Sequence, residues 1–588
     1  MNYIFNRLDF FYKKAYYIHK ITLKENYMNR HAGSERNLTL VMDLYELTMA
    51  YNYFKQGNKD QLVYFDMFYR KNPDNGGFAV FAGLQQLIEC IENLHFSEGD
   101  IQYLRSLQKF DEDFLDYLLD FKFTGSIYAI KEGTPVFPNE PLITVKAKFI
   151  EAQIIETMLL VTVNHQSLIA TKAHRVVQEA KGRPVMEFGA RRAQGYDSAT
   201  YGARAAYIGG VAGTATVSAG EMFDIPVVGT MAHSFVQSFD NEYEAFKAYA
   251  LTYPDDCVLL VDTYDTLKSG VPNAIEIAKE VLEPMGKKLK GIRLDSGDIS
   301  YLSKRARAML DVAGLTYVSI SASNSLDEYL IRSLLNQGAQ LDSFGVGENL
   351  IVSKSSPVFG GVYKLVAIEK DGQIIPKIKI SENTEKITNP GYKRVYRLFE
   401  NETGKAMADL ITFHDEVIDS TKDLTIYHQS DVWKFKTIEA DTYTVEELQV
   451  PIFENGKFVY EKRHIPFMIP LVTIVLFVVS YVAANKMHMY HGLLQRYIYW
   501  CGGVAAAFFL VIVLSYTPKC FRSICCKWGA ISLEIYLAHI VIRRELGTQF
   551  AKTYLGLPWW GNVLIIFVGA YIWAKFVAWC VTKVQAVK

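Results

Sequence analysis

The chain has 588 residues, room for about three or four domains, and its net charge of −1 conceals a split. Residues 464–588 hold 11 Lys and Arg against 2 Asp and Glu, whereas the first 463 hold 51 against 61. The acidic front part argues against nucleic acid as a partner, and its two cysteines, Cys90 and Cys257, provide no disulfide framework and fit a cytoplasmic setting.

Residues 1–27 are aromatic and basic, with no long apolar run and no small-residue cleavage site, so they are not a signal peptide. They read as a non-native extension before Met28, or alternatively as a surface amphipathic helix. Residues 28–150 form a first, α+β domain. Within it, DLYELTMAYNYF and FAVFAGLQQLIECIENL have helical periods, LVYFDMFYR is extended, and 126–147 are short strands punctuated by Pro135, Pro138 and Pro141. Residues 151–179 predict a long helix, broken or bent near Asn164.

Residues 187–236 are rich in glycine and carry Arg191, Arg192 and His233 between small residues. Glycine lets a backbone approach a ligand, and arginine forks grip phosphate or carboxylate. From 256 to 350, apolar β-rich runs alternate with helical ones and end at Asp262, Asp295, Asn324 and Gly347, 33, 29 and 23 residues apart. That is the rhythm of βα units, which place ligands at the C-terminal ends of parallel strands. Residues 151–365 are thus expected to be a barrel-like α/β catalytic core, and 366–461 a strand-rich segment beside it.

After Arg463 the character changes. Residues 465–484 and 497–516 are each 20 residues without a charge, long enough to span a bilayer. Residues 559–581 contain only Lys575, and 531–542 carry Glu534 and His539. Three or four spans are expected in 464–588, with weak positive-inside bias and the catalytic part in the cytoplasm.

Several motifs together resemble the nicotinate phosphoribosyltransferase family over about residues 38–461. They are DLYELTMAY (43–51), FAVFAGL (78–84), EFGARRAQG (187–195), the T-x-A-H-S histidine region (229–239), IRLDSGD (292–298), SASNSLDE (321–328) and FGVGENLIVSKSSPVFGGVYKL (344–365). The resemblance implies a type II phosphoribosyltransferase-like irregular α/β barrel. It also implies a reaction that joins nicotinate to phosphoribosyl pyrophosphate, coupled to ATP hydrolysis with Mg2+, in a homodimer with shared active sites. Motif by motif, it casts His233 as a phosphohistidine and Asp295 as a ribose contact. Tyr45 from the partner subunit and Phe188 sandwich the pyridine. Arg191 and Arg293 bind phosphate, pyrophosphate or the nicotinate carboxylate, and Asn324, Gly345 and Gly347 form the 5′-phosphate pocket. Ala215, in Gly213-Thr214-Ala215-Thr216, replaces an aspartate of nicotinamide-using relatives; a carboxylate there would repel nicotinate.

Taken singly, these residues have plainer explanations. Tyr45 and Phe188 could be core aromatics, Asp295 and Asp298 helix caps, the glycines a strand-exit turn, and the arginine pair a solvated face. Nicotinamide transfer, or a membrane-anchored pyridine- or phosphate-binding protein without catalysis, are the alternative functions. The chain departs from the family where Glu461-Lys462-Arg463 leads into the apolar tail instead of further soluble helices. Within the tail, GAISLEIYLAHIVI (529–542) resembles the last helices of the membrane acyltransferase 3 family, without the early helix that bears that family's catalytic histidine. The expected effect of the tail is anchoring.

Overall fold

The computed structural model describes residues 37–460, apart from 381, 383–386, 430 and 432. The proposed extension at 1–27 and the proposed spans in 464–588 lie outside the described residues. Among the described residues, no helix is long and apolar enough to cross a membrane.

The first helix, Leu44–Lys55, starts where the sequence supplies a capping box: Asp43 is the N-cap and Glu46 reaches back to its N–H. The extended run that follows becomes Leu62–Tyr69, an interior strand of a seven-stranded antiparallel sheet. Residues 62–69 are buried from Val63 onward, because the strand is paired on both edges and covered on its faces. One neighbour, Ile143–Lys148, is local. The other, Gly361–Lys370, arrives from about 300 residues later and runs through position 365, while Gln449–Glu454 pairs with Ser126–Ile130. The front sheet is therefore built from both ends of the described chain. Asp66 in strand Leu62–Tyr69 accepts from Thr144 at 2.8 Å and pairs with Lys393 at 2.8 Å, both charges almost fully buried. Helices Leu84–Glu92, Glu98–Ser106 and Glu112–Leu119 bury their apolar stripes against this sheet.

The long helical stretch breaks at Ile155, between Phe149–Ile154 and Glu156–Glu179, not at Asn164. Asn164 does not disturb the helix because its side chain accepts from the Gly361 N–H at 3.0 Å, an outside partner. Helix Glu156–Glu179 is the spine of the fold. Met158, Leu159, Val163 and Leu168 pack into the sheet core, while Ile169, Ala170, Ala173 and Val176 pack into the second core.

That second core fills a six-stranded, all-parallel sheet. Its hydrogen-bonded order is Gly213–Thr214, Val185–Glu187, Ser343–Val346, Ser319–Ala322, Gly291–Leu294, Val258–Leu260. Read around the ladder, the strands follow chain order, and the first pairs with the last. This is barrel winding. A single parallel bridge, Thr214 to Val227, extends one edge. Among the described residues the ladder stays open between Val227 and Val258–Leu260, and the chain between them carries His233. The expected irregular α/β barrel is thus present, with its irregularity located. The four predicted strand exits at Asp262, Asp295, Asn324 and Gly347 each lie one or two residues past the end of an observed strand.

Candidate active site

Parallel strands deliver their following residues to one end of the sheet. Here those residues are Phe188 after Val185–Glu187, Ala215 after Gly213–Thr214, Asp262 and Thr263 after Val258–Leu260, Asp295 after Gly291–Leu294, Ser323 and Asn324 after Ser319–Ala322, and Gly347 after Ser343–Val346.

His233 opens a one-turn helix, His233–Gln237, preceded by the extended Ala232. Its Nδ1 lies 3.1 Å from the Thr263 hydroxyl, and its Nε2 3.7 Å from Asp295 Oδ2. Both side chains remain about one third exposed, 38% and 35%, so the imidazole is held between two strand exits yet reachable. Asp295 is fixed from behind. Its Oδ1 accepts from the Ser323 hydroxyl, and its N–H donates to Asp262 Oδ2 at 2.6 Å. The Ser296 hydroxyl donates to the same Asp262 oxygen at 2.8 Å. Asp262 is a strand-end residue, as expected, and serves as the clasp between two exits.

Arg293 projects from strand Gly291–Leu294 and donates to the Met231 carbonyl at 2.9 Å, tying the histidine segment to the barrel. Its Nε is buried without a hydrogen-bond partner. Burial lowers the guanidinium pKa, Asp295 and Asp262 oppose that, and Arg191 adds to the lowering through like-charge repulsion. Arg191 therefore faces the same field from the exposed turn Ala190–Arg192. A guanidinium with a buried, unpartnered donor is chemically suited to an anion.

Phe188 donates its N–H to Val346 O at 2.8 Å, and its ring lies on Gly345, where a Cβ would come within 2.4 Å of a ring carbon. Gly345 thus seats the aromatic ring. Gly347 approaches the Phe188 backbone and precedes the single turn Glu348–Ile351. Asn324 and Ser325 both adopt left-handed φ values, +82° and +50°, which turn the chain sharply. Asn349 holds that turn by donating to Ser325 O at 2.8 Å. Ala215 stands exposed at its strand end.

Tyr45 stays with the front domain. It is 45% exposed on helix Leu44–Lys55, and burial together with the nearby Glu156 raises its phenol pKa above the usual range.

Three family models match this chain. The nicotinate phosphoribosyltransferase N-terminal domain matches residues 40–164, the family model 184–419, and the C-terminal domain 392–469. The nicotinate phosphoribosyltransferase of Bacillus subtilis is 46% identical over 438 residues, 74% of this chain and 88% of the relative. The chain belongs to the nicotinate phosphoribosyltransferase family. A Mycobacterium tuberculosis nicotinate phosphoribosyltransferase is 44% identical over 389 residues, covering 66% of this chain and 80% of its own. The crystal structure of human nicotinic acid phosphoribosyltransferase superposes with a TM-score of 0.62 at 28% identity, over 72% of this chain and 91% of that one.

Family membership expected from the motifs is therefore established. The structure brings His233 and Asp295 together, ties Arg293 to the histidine segment and sets Phe188 upon Gly345. Thr263, Ser323 and Asn349, which bond to these strand exits, are not among the residues expected from the sequence. Thr263 and Ser323 each adjoin a strand-end residue that was read, Asp262 and Asn324, and that adjacency was the available signal.

Proposed function

We propose that the protein forms nicotinate mononucleotide and pyrophosphate from nicotinate and phosphoribosyl pyrophosphate, coupled to ATP hydrolysis. The observation that carries this is His233 held between the Thr263 and Asp295 strand exits, with Arg293 tied to its segment, in a chain whose relatives are named for nicotinate rather than nicotinamide. In this reading Arg293 and Arg191 hold pyrophosphate or carboxylate. Asp295, braced by Ser323 and Asp262, accepts from the ribose hydroxyls. The left-handed turn at Asn324 and the first N–H groups after Gly347 receive the 5′-phosphate. Phe188 covers one face of the pyridine, and Tyr45 of a second copy covers the other in a homodimer. Ala215 leaves that pocket free of a repelling carboxylate.

His233 takes the γ-phosphoryl group of ATP. A ring nitrogen bonds to phosphorus as the bond to the ADP oxygen breaks, and water later releases phosphate. Thr263 orients the ring through Nδ1 at 3.1 Å, which leaves Nε2, 3.7 Å from Asp295, free to take the phosphoryl group. No cluster of three or more metal-ligating side chains occurs among the described residues. Mg2+ would reach the site on the substrate pyrophosphate, Asp295 would be the protein's carboxylate for it, and the ion would supply neutralisation of phosphate charge. The apolar tail anchors the protein to a membrane with this part cytoplasmic.

The test is product formation by the purified full chain with nicotinate and phosphoribosyl pyrophosphate, with and without ATP, against nicotinamide. Nicotinate mononucleotide with ATP-dependent phosphate release is expected. Turnover of nicotinamide only, or binding without product, overturns the reading.

A further inference from the structure

Glu187 is fully buried at the end of strand Val185–Glu187, and every group it meets belongs to one of two strand exits. On its own exit, Oε1 accepts from the Gly189 N–H. On the adjacent exit, Oε2 accepts from the Thr214 hydroxyl at 2.6 Å and lies 3.4 Å from that of Thr216. The Thr214 hydroxyl in turn accepts from the Thr216 N–H at 2.9 Å, and Ala215 donates its N–H to the Glu187 carbonyl at 2.9 Å. Ala215, itself exposed, is therefore held at its backbone beside a relay that begins at the Glu187 carboxylate. Gly189 fits it from the other side: a Cβ there would sit 2.8 Å from Glu187 Oε1 and 2.5 Å from Ile351. A carboxylate buried without a cationic partner is costly unless its oxygens are satisfied. Here neutral donors satisfy it, and they come from the two loops that flank the proposed pyridine pocket.

We propose that Glu187 is a positioning residue for substrate recognition, a strut whose two oxygens, through Thr214, fix the spacing between the Phe188–Gly189 exit and the Ala215 exit and so set the width of the pyridine pocket. This rests on the nicotinate reading above. The hydrogen bonds of Glu187 fall on the pyridine side, because the phosphate-side exits at Asn324 and Gly347 make none of them.

Glu187→Gln keeps shape but not donor–acceptor order. If its Oε1 still accepts from Gly189, its amide NH2 faces a Thr214 oxygen that already accepts from Thr216, and the relay loses its acceptor. Thr214→Val removes the same link without touching the carboxylate, and Thr214→Ser restores it. The experiment is steady-state kinetics of the full chain for each variant, with KM measured separately for nicotinate and phosphoribosyl pyrophosphate. Wild-type turnover, measured first, tests the functional reading by itself.

The expected result is a rise of about tenfold in the nicotinate KM for Glu187→Gln and Thr214→Val, the size of one lost charge-assisted hydrogen bond. The phosphoribosyl pyrophosphate KM should stay within about twofold, and Thr214→Ser should match wild type. Equal loss on both substrates would mark Glu187 as a general structural residue and overturn the proposal. So would an unchanged nicotinate KM in a folded variant. If Glu187→Gln fails to fold, the Thr214 pair decides the same question.

Discussion

At the residue scale, the two glycines of the strand exit at 345–347 have different physical duties. Gly345 lies beneath the Phe188 ring, with no room for a Cβ, whereas at Gly347 a Cβ would lie 3.3 Å from the Phe188 carbonyl oxygen. Gly345→Ala should displace the ring and raise the nicotinate KM about fivefold, since aromatic stacking contributes about 1 kcal/mol. Gly347→Val should instead raise the KM for phosphoribosyl pyrophosphate, with an unchanged circular dichroism spectrum; loss of fold would reduce Gly347 to a turn glycine. His233→Ala should abolish ATP stimulation and retain slow ribosyl transfer. Phosphate incorporation equal to wild type would remove His233 from phosphoryl transfer.

Glu46 offers a pH-dependent prediction. Burial raises its pKa from 4.5 to about 7, although the Thr157 hydroxyl and the Asp43 N–H favour the charged form. A carboxyl with a raised folded-state pKa binds its proton more tightly when folded. Its stabilisation is therefore complete below about pH 4.5 and is lost as the pH rises toward 7. Glu46→Gln, which keeps the acceptor but cannot ionise, should lose this slope. Its Tm should gain on wild type between pH 5 and pH 8, by at most about 3 kcal/mol of stability. A constant Tm difference across that range would show that Glu46 does not titrate there.

At the scale of elements, the strand rhythm from 256 to 350 was readable because parallel strands buried on both faces are continuous apolar runs, and polar residues can follow only at their ends. The exits at Asp262, Asp295, Asn324 and Gly347 were found for that reason. The helix break was placed wrongly because Asn164 has an intrinsic preference for breaks, and its satisfaction by Gly361, 197 residues away, is a tertiary fact. Glu187 escaped for the same reason: its partners Thr214 and Thr216 come from a neighbouring strand exit. The front strand Leu62–Tyr69 depends on a similar distant partner. Lys393 reaches Asp66 and also donates to Asn389 O and Gly391 O, each at 2.7 Å. Asp66→Ala would leave this buried ammonium without its counter-charge, a loss of about 3–5 kcal/mol. The urea midpoint of the variant should fall accordingly; an unchanged midpoint would mean that water compensates the lysine.

At the scale of the whole molecule, the acidic part up to residue 461 and the basic, apolar tail call for different solvents. The full chain should sediment with membranes and require detergent for release, driven by the two 20-residue uncharged runs at 465–484 and 497–516. Monodisperse full-length protein in the soluble fraction without detergent would refute anchoring.

The sequence by itself determined the parallel-strand rhythm, the strand exits and the family, because periodicity, strand-end polarity and short motifs are local properties of the chain. Only the tertiary structure decided which exits become neighbours. It paired the first barrel strand with the last, left the ladder open where His233 enters, and closed the front sheet with strands some 300 residues apart. Those outcomes depend on which apolar faces bury one another and which buried polar atoms find distant partners. Such pairings minimise exposed apolar area and unsatisfied donors over the whole fold, and no local window of sequence contains that sum.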